Sequence, residues 1–143
     1  MASPQTSRRD FKSWTSIDVR WGDMDALGHV NNAAYFTFCE SARIRYFEAV
    51  VPGDFTHASE GPTLAHAAVD FRRQVLYQAR LEVGVRVSEI RNRSFRMDYG
   101  IFLEGTDTVV AEGTSVVVWA DYRAGKATEL PAEVRRRIEE VEA

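Results

Sequence analysis

The stretch Asn32-Ala-Ala-Tyr-Phe-Thr-Phe-Cys-Glu-Ser-Ala-Arg-Ile-Arg-Tyr-Phe-Glu-Ala49 decides the fold. It holds no Gly or Pro, and Tyr35, Phe38, Cys39, Ala42, Tyr46 and Phe47 recur at spacings of three and four, the period of a helix. Phe36 and Ile44 fall outside that stripe and widen the apolar face. The helix is therefore predicted to be enclosed nearly all round by other structure. Asn31 or Asn32 supplies its N-cap, and Pro52 and Gly53 end it.

On both sides of this helix the pattern is that of strands. Thr15, Ile17, Val19 and Trp21 alternate with Ser16, Asp18 and Arg20, a period of two. After a loop reaching Pro62, further strands are predicted at about 64–73, 80–91, 94–104 and 108–121. Pro131, at a first-turn position, opens a terminal helix with Val134, Ile138 and Val141 on one side. A helix apolar nearly all round needs a sheet that curls about it. The expectation is an α+β domain: a five-stranded antiparallel sheet wrapped around a long central helix, with a short C-terminal helix. Residues 1–12 are expected to be a disordered lead-in, and 13–143 one domain.

Composition narrows the function. A chain of 143 residues has the length of one ordinary domain. Its net charge of −3 gives no global reason to expect nucleic acid or an anionic membrane as partner. Cys39 is the single cysteine, so no intrachain disulfide forms, and a reduced cytoplasmic setting fits. A cysteine on a buried helix face reads as packing. No apolar run approaches the ~20 residues of a membrane span, and the polar N-terminus lacks the apolar core of a signal peptide.

The segment Trp21-Gly-Asp-Met-Asp-Ala-Leu-Gly-His-Val-Asn-Asn-Ala-Ala-Tyr35 is the chemically informative one. It sets two carboxylates, a glycine, a histidine and two asparagines between a strand and the first turn of the buried helix. A helix start has unpaired N–H groups and positive dipole charge. Beside a carboxylate, such donors suit attack on a carbonyl, because they hold the oxygen as it gains charge. Asx residues also dominate loops as turn and cap formers, and the residues alone leave both readings open. His29 likewise could orient a substrate or bond the loop. Asp23-Met24-Asp25 resembles the start of a calcium loop but lacks the ligands needed at Leu27 and Ala34, so no metal is expected.

Asp23-Met-Asp25-Ala-Leu-Gly28-His29-Val30-Asn31-Asn32-Ala-Ala-Tyr35, followed by Glu40-Ser-Ala-Arg43, resembles the signature of hotdog-fold acyl-CoA thioesterases of the 4-hydroxybenzoyl-CoA thioesterase type. Val69-Asp-Phe71, Tyr77, Leu81-Glu-Val83 and Arg93-Ser94-Phe95 extend the similarity over most of the chain. Gln74 and Gln78-Ala79 depart from it, where the family often has Pro and Gly-Asp or Gly-Glu. The resemblance implies a hotdog fold and hydrolysis of an acyl-CoA without a cofactor. It implies Asp25 as the catalytic carboxylate, the Asn32 backbone N–H as the donor to the thioester oxygen, and Gly28, Asn31 and Tyr35 at the substrate. It further implies a homodimer or homotetramer with the site at the interface between copies. Two alternatives stand beside hydrolysis: a hotdog dehydratase or hydratase using His29 with Asp25, and a non-catalytic acyl-CoA-binding module.

Arg86, Arg91, Arg93 and Arg96 lie within eleven residues. They read either as a solvated strand end or as a clamp for coenzyme A phosphates, since a guanidinium pairs with phosphate through two parallel hydrogen bonds. Strand alternation would put Arg91 and Arg93 on one side and Arg96 on the other, with Ser94 adding a hydroxyl.

Overall fold

The computed structural model describes residues 6–143, and in it the helix runs from Asn32 to Val50 (α1). Asn31 is the N-cap, its side chain accepting the Ala33 amide at 2.9 Å. The strands are β1 (Ser13–Asp18), β2 (Glu60–Phe71), β3 (Arg80–Ile90), β4 (Ser94–Leu103), β5 (Val109–Asp121) and a two-residue β6 (Lys126–Ala127). A second helix, α2, spans Ala132–Glu142 and starts one residue after Pro131, its N-cap. The strands pair antiparallel in the order β1-β3-β4-β5-β2, with β6 beside β5. This is the expected hotdog arrangement, with a short sixth strand that the sequence pattern did not show.

The core lies between α1 and the sheet. Phe38, Ala42, Tyr46 and Phe47 of α1 pack with Val83, Phe95, Met97, Ile101 and Val117, all buried. Burying each large apolar side chain is worth about 1.5–3 kcal/mol against leaving it exposed. Val134 and Ile138 of α2 join the same core. Glu142 closes the join, accepting from the Tyr46 hydroxyl at 2.7 Å and the Val87 amide at 3.0 Å.

Four expectations need correction. The first strand ends at Asp18 rather than Trp21, because Trp21–Asp23 form a 3-10 turn stapled by the Arg20 amide donating to Asp23 Oδ2 at 2.8 Å. The strand expected from residue 64 begins at Glu60 and contains Pro62, which an edge strand tolerates. Of the expected lead-in, residues 1–5 lie outside the described residues, but 8–10 form a 3-10 turn and Phe11 is buried. Phe11 rests on Gly84 and Gly100, which face each other across β3 and β4; a Cβ at either would come within 2.9 Å of its ring. Arg8 ties this segment down by pairing with Glu82 at 2.7 Å. Finally, α1 is not enclosed all round. Phe36 and Ile44 are each 41% exposed.

Candidate active site

The loop before α1 is held by its own backbone. Met24 and Val30 form an antiparallel bridge, the Asp25 amide donates to the His29 carbonyl at 2.8 Å, and the Gly28 amide donates to the Asp25 carbonyl at 3.3 Å. Gly28 has φ +82°, a conformation strained for any residue with a Cβ. The Asn31 amide donates to the Asp23 carbonyl at 2.8 Å and the Val30 amide to the Val75 carbonyl at 2.9 Å. The loop is thereby fixed to α1 on one side and to the β2–β3 connection on the other.

The two aspartates take different parts. Asp23 is buried and accepts from Arg20 Nη2 at 2.9 Å as well as from the Arg20 amide. These hydrogen bonds pull its carboxyl below the usual carboxylate range, against the opposing push of burial. Asp23 shapes the loop. Asp25 is half-buried, and its Oδ1 accepts the amides of Leu27 at 2.8 Å and His29 at 3.2 Å. Its Oδ2 has no partner among the described residues.

Asp25 opens onto a cleft of about 390 Å³ lined by Trp21, Met24, Gly28, Leu76 and Tyr77. Trp21 and Tyr77 stack edge to face with centroids 5.4 Å apart. Trp21 is 74% exposed, and Leu27, Leu76 and Tyr77 are exposed with it, an apolar rim around a carboxylate. Trp21 and Leu76 were not among the expected site residues: Trp21 fitted the strand alternation, and only Leu76, a large apolar side chain between two predicted strands, carried a signal.

Asn31 spends its side chain on the Ala33 amide, and its carbonyl takes the Ala34 amide at 2.9 Å. The Asn32 amide donates to nothing among the described residues. A carboxylate with one free oxygen and a helix start with one free N–H are thus held by a single loop. The other candidates separate from them. The His29 imidazole makes no hydrogen bond to Asp25, whose contacts with His29 are through the backbone only. Tyr35 is 2% exposed and packs on Phe38 and Phe71, so within one chain its place is the core. Burial pushes the Cys39 thiol up to about 12, away from nucleophilic use.

The arginines stand apart too. Arg91 and Arg93 lie in the β3–β4 turn rather than on a strand, so strand alternation does not set their sides, contrary to the expectation. The Asp25 loop sits at the start of β3, through the Val19 amide bonded to the Ala79 carbonyl. The turn sits at its other end, eleven strand residues away. Arg91 pairs with Glu89 at 3.0 Å, while Arg86 and Arg96 both pair with Asp98; Arg93 has no ion pair among the described residues. Among the described residues no three His, Cys, Asp or Glu side chains gather as a metal site requires.

Residues 19–138 match the thioesterase-like superfamily. The chain belongs to that family. The long-chain acyl-CoA thioesterase FadM of Escherichia coli strain K12 is 28% identical over 89% of this chain and 97% of that one. A thioesterase from Thermus thermophilus, solved with coenzyme A and Zn, is 34% identical, covers 93% of this chain and 96% of its own, and superposes with a TM-score of 0.82. The PA5185 protein from Pseudomonas aeruginosa strain PAO1 is 27% identical, with 98% of both chains covered and a TM-score of 0.90. These matches establish thioester hydrolysis as the family chemistry without singling out the 4-hydroxybenzoyl-CoA type.

Proposed function

We propose that this protein hydrolyses an acyl-CoA thioester to a free carboxylic acid and coenzyme A, with Asp25 as the catalytic carboxylate and the Asn32 backbone N–H as the oxyanion donor. The observation that carries this is the Asp25 carboxylate itself. Two amides fix Oδ1, and Oδ2 stays unbonded in a residue that lines an apolar cleft. The fixed oxygen orients the group at no cost during reaction, which is what preorganised catalysis requires. Oδ2 then either attacks the thioester carbonyl, expelling thiolate and leaving a mixed anhydride for water to open, or takes a proton from the water that attacks. Both routes end in the same products. The thiolate is a good leaving group, so carboxylate and N–H together suffice.

The cleft-lining Trp21, Leu76 and Tyr77 would hold apolar parts of the substrate, and Gly28 lets the backbone approach it. A dehydratase would use a His–carboxylate pair, and the His29 imidazole forms none with Asp25. Measuring thiol release over short, long and aromatic acyl-CoAs tests the reading. Release with at least one substrate supports it, whereas binding without release points to a non-catalytic module.

The working unit we propose is at least a homodimer. Among the described residues β2 pairs with β5 alone, leaving the other edge of a twelve-residue strand open. Beside it lie Leu64, 45% exposed, and the uncovered Phe36 and Ile44 of α1. A second copy related by two-fold symmetry would cover strand edge and helix face together. It would also offer the Arg91–Arg93 turn and Ser94 to the phosphates of a coenzyme A bound at Asp25 of its neighbour. No helix among the described residues is long and apolar enough to cross a membrane. The unpaired thiol of Cys39 suits a cytoplasmic setting.

A further inference from the structure

Arg43 lies on the buried side of α1, 7% exposed, and forms no ion pair among the described residues. Among the described residues its one hydrogen bond runs from Nη1 to the Tyr99 hydroxyl at 3.2 Å. That hydroxyl is fixed from the sheet, 2.7 Å from Ser115 Oγ and donating to Met97 Sδ at 3.7 Å. A guanidinium keeps its charge in proteins and carries five N–H donors. Burying such a charge without a counter-charge is unfavourable, and proteins pair or neutralise buried charges for that reason.

No sealed side-chain nitrogen or oxygen among the described residues lacks a hydrogen bond, so each unbonded Arg43 nitrogen keeps some accessible surface. They border a cavity of about 140 Å³ between α1 and strands β2, β4 and β5. Phe36, Leu64 and Val69 wall it, and Arg43, Tyr99 and Ser115 supply polar groups. Glu40 lines it as well but is exposed and forms no ion pair with Arg43. Apolar walls with a few converging polar groups are the form of a small-molecule site. The cavity reaches Phe36, one helical turn from the Asn32 amide, and Arg43 lies eleven residues from that amide, about 16 Å along the helix. An occupant must be apolar along its length and bear an oxygen acceptor at the Arg43 end. A carboxylate matches best, since a guanidinium donates two parallel hydrogen bonds to it.

We propose that this cavity is an acyl subsite in which Arg43, oriented by the Tyr99 hydroxyl, selects acyl groups that carry a terminal carboxylate. The proposal rests on Asp25 and Asn32 being the thioester centre. The test compares linear acyl-CoAs from butyryl to dodecanoyl with their ω-carboxy counterparts, using the full chain and the variants Arg43→Met, Arg43→Lys and Tyr99→Phe. At one or more lengths the ω-carboxy substrate should exceed its plain counterpart in kcat/KM by about 10-fold, the size of a charge-assisted hydrogen bond. Arg43→Met should abolish that ratio through KM, and Arg43→Lys should keep part of it. ω-Hydroxyacyl-CoAs, lacking the charge, should gain less. A preference for plain or hydroxyl chains at every length overturns the proposal, as does an unchanged ratio in Arg43→Met. Should Arg43→Met fail to fold, Tyr99→Phe decides: a lowered ratio supports the assignment and an unaltered one rejects it. Calorimetric binding of the free linear dicarboxylic acids separates this subsite from the thioester centre. Diacid binding that Arg43→Met removes, in a protein releasing no thiol from any acyl-CoA, keeps the subsite and rejects the Asp25 reading.

Discussion

Asn31 Oδ1 accepts the Ala33 amide at 2.9 Å, and this division of labour frees the neighbouring Asn32 amide. The cap is Asn31; the donor proposed for the substrate oxygen is Asn32. Proline is tolerated at the first helical position, and the Asn31 backbone (φ −60°, ψ 136°) already has the extended form that a following proline demands. Asn32→Pro should therefore fold with a melting temperature near that of Asn32→Ala while losing the N–H. We expect kcat to fall roughly 100-fold in Asn32→Pro, as for removal of one oxyanion donor, and to change little in Asn32→Ala. Equal turnover in the two variants would remove Asn32 from the mechanism.

Asp23 gives a pH dependence of stability. Its folded pKa is lowered by Arg20, so the stability it contributes is present above the unfolded value of ~3.9 and is lost as pH falls through the folded one. Asp23→Asn abolishes that contribution. Thermal melts of both proteins between about pH 6 and pH 2 should show wild type ahead near neutrality and the gap closing below about pH 4. A gap that stayed constant down to the lowest pH would mean the Arg20 contact contributes nothing.

The open edge of β2 predicts assembly. Sedimentation of the 16.2 kDa chain should give at least a dimer. Leu64→Glu, a charge placed beside the uncovered Phe36, should shift it toward monomer and reduce activity, because the site is proposed to need both copies. A fully active monomer would contradict the composite site.

Arg93, without an ion pair among the described residues where Arg91 is tied to Glu89, is the one of the two proposed phosphate ligands whose guanidinium is available. Arg93→Ala should raise KM for acyl-CoA roughly 10-fold, about 1.4 kcal/mol, with kcat little changed. The penalty should shrink for an acyl-pantetheine lacking the nucleotide. The same penalty for both substrates would mean that the turn does not hold phosphate.

Periodicity made the framework legible: α1 and β3 to β5 fall within a residue or two of their expected ends because each alternates or repeats strongly. What escaped depends on distances between elements. Phe11 is ordered by a trough that exists only where Gly84 and Gly100 meet across two strands, and no local pattern announces that pairing. The separation of Arg91 from the Asp25 loop by the length of β3 is likewise set by the sheet and not by any local pattern. Arg43 appeared in the sequence as part of the Glu40–Arg43 motif, and only the position of Tyr99 shows that its charge is buried without a carboxylate. Within the site, the residue types located the loop and the resemblance implied Asp25; the structure adds the separation between Asp23, whose carboxylate Arg20 occupies, and Asp25, whose Oδ2 stays unbonded.

That separation is the centre of the account, and Asp25→Asn tests it. The substitution keeps the side-chain volume and an oxygen able to accept the Leu27 and His29 amides, but it removes the negative charge. Turnover of the best acyl-CoA substrate, measured by thiol release, should fall at least ~100-fold with the fold intact, whereas Asp23→Asn should lose stability and retain most of its turnover. Asp25→Asn working at the wild-type rate, or both variants losing turnover equally, would contradict the assignment of Asp25 as the catalytic carboxylate.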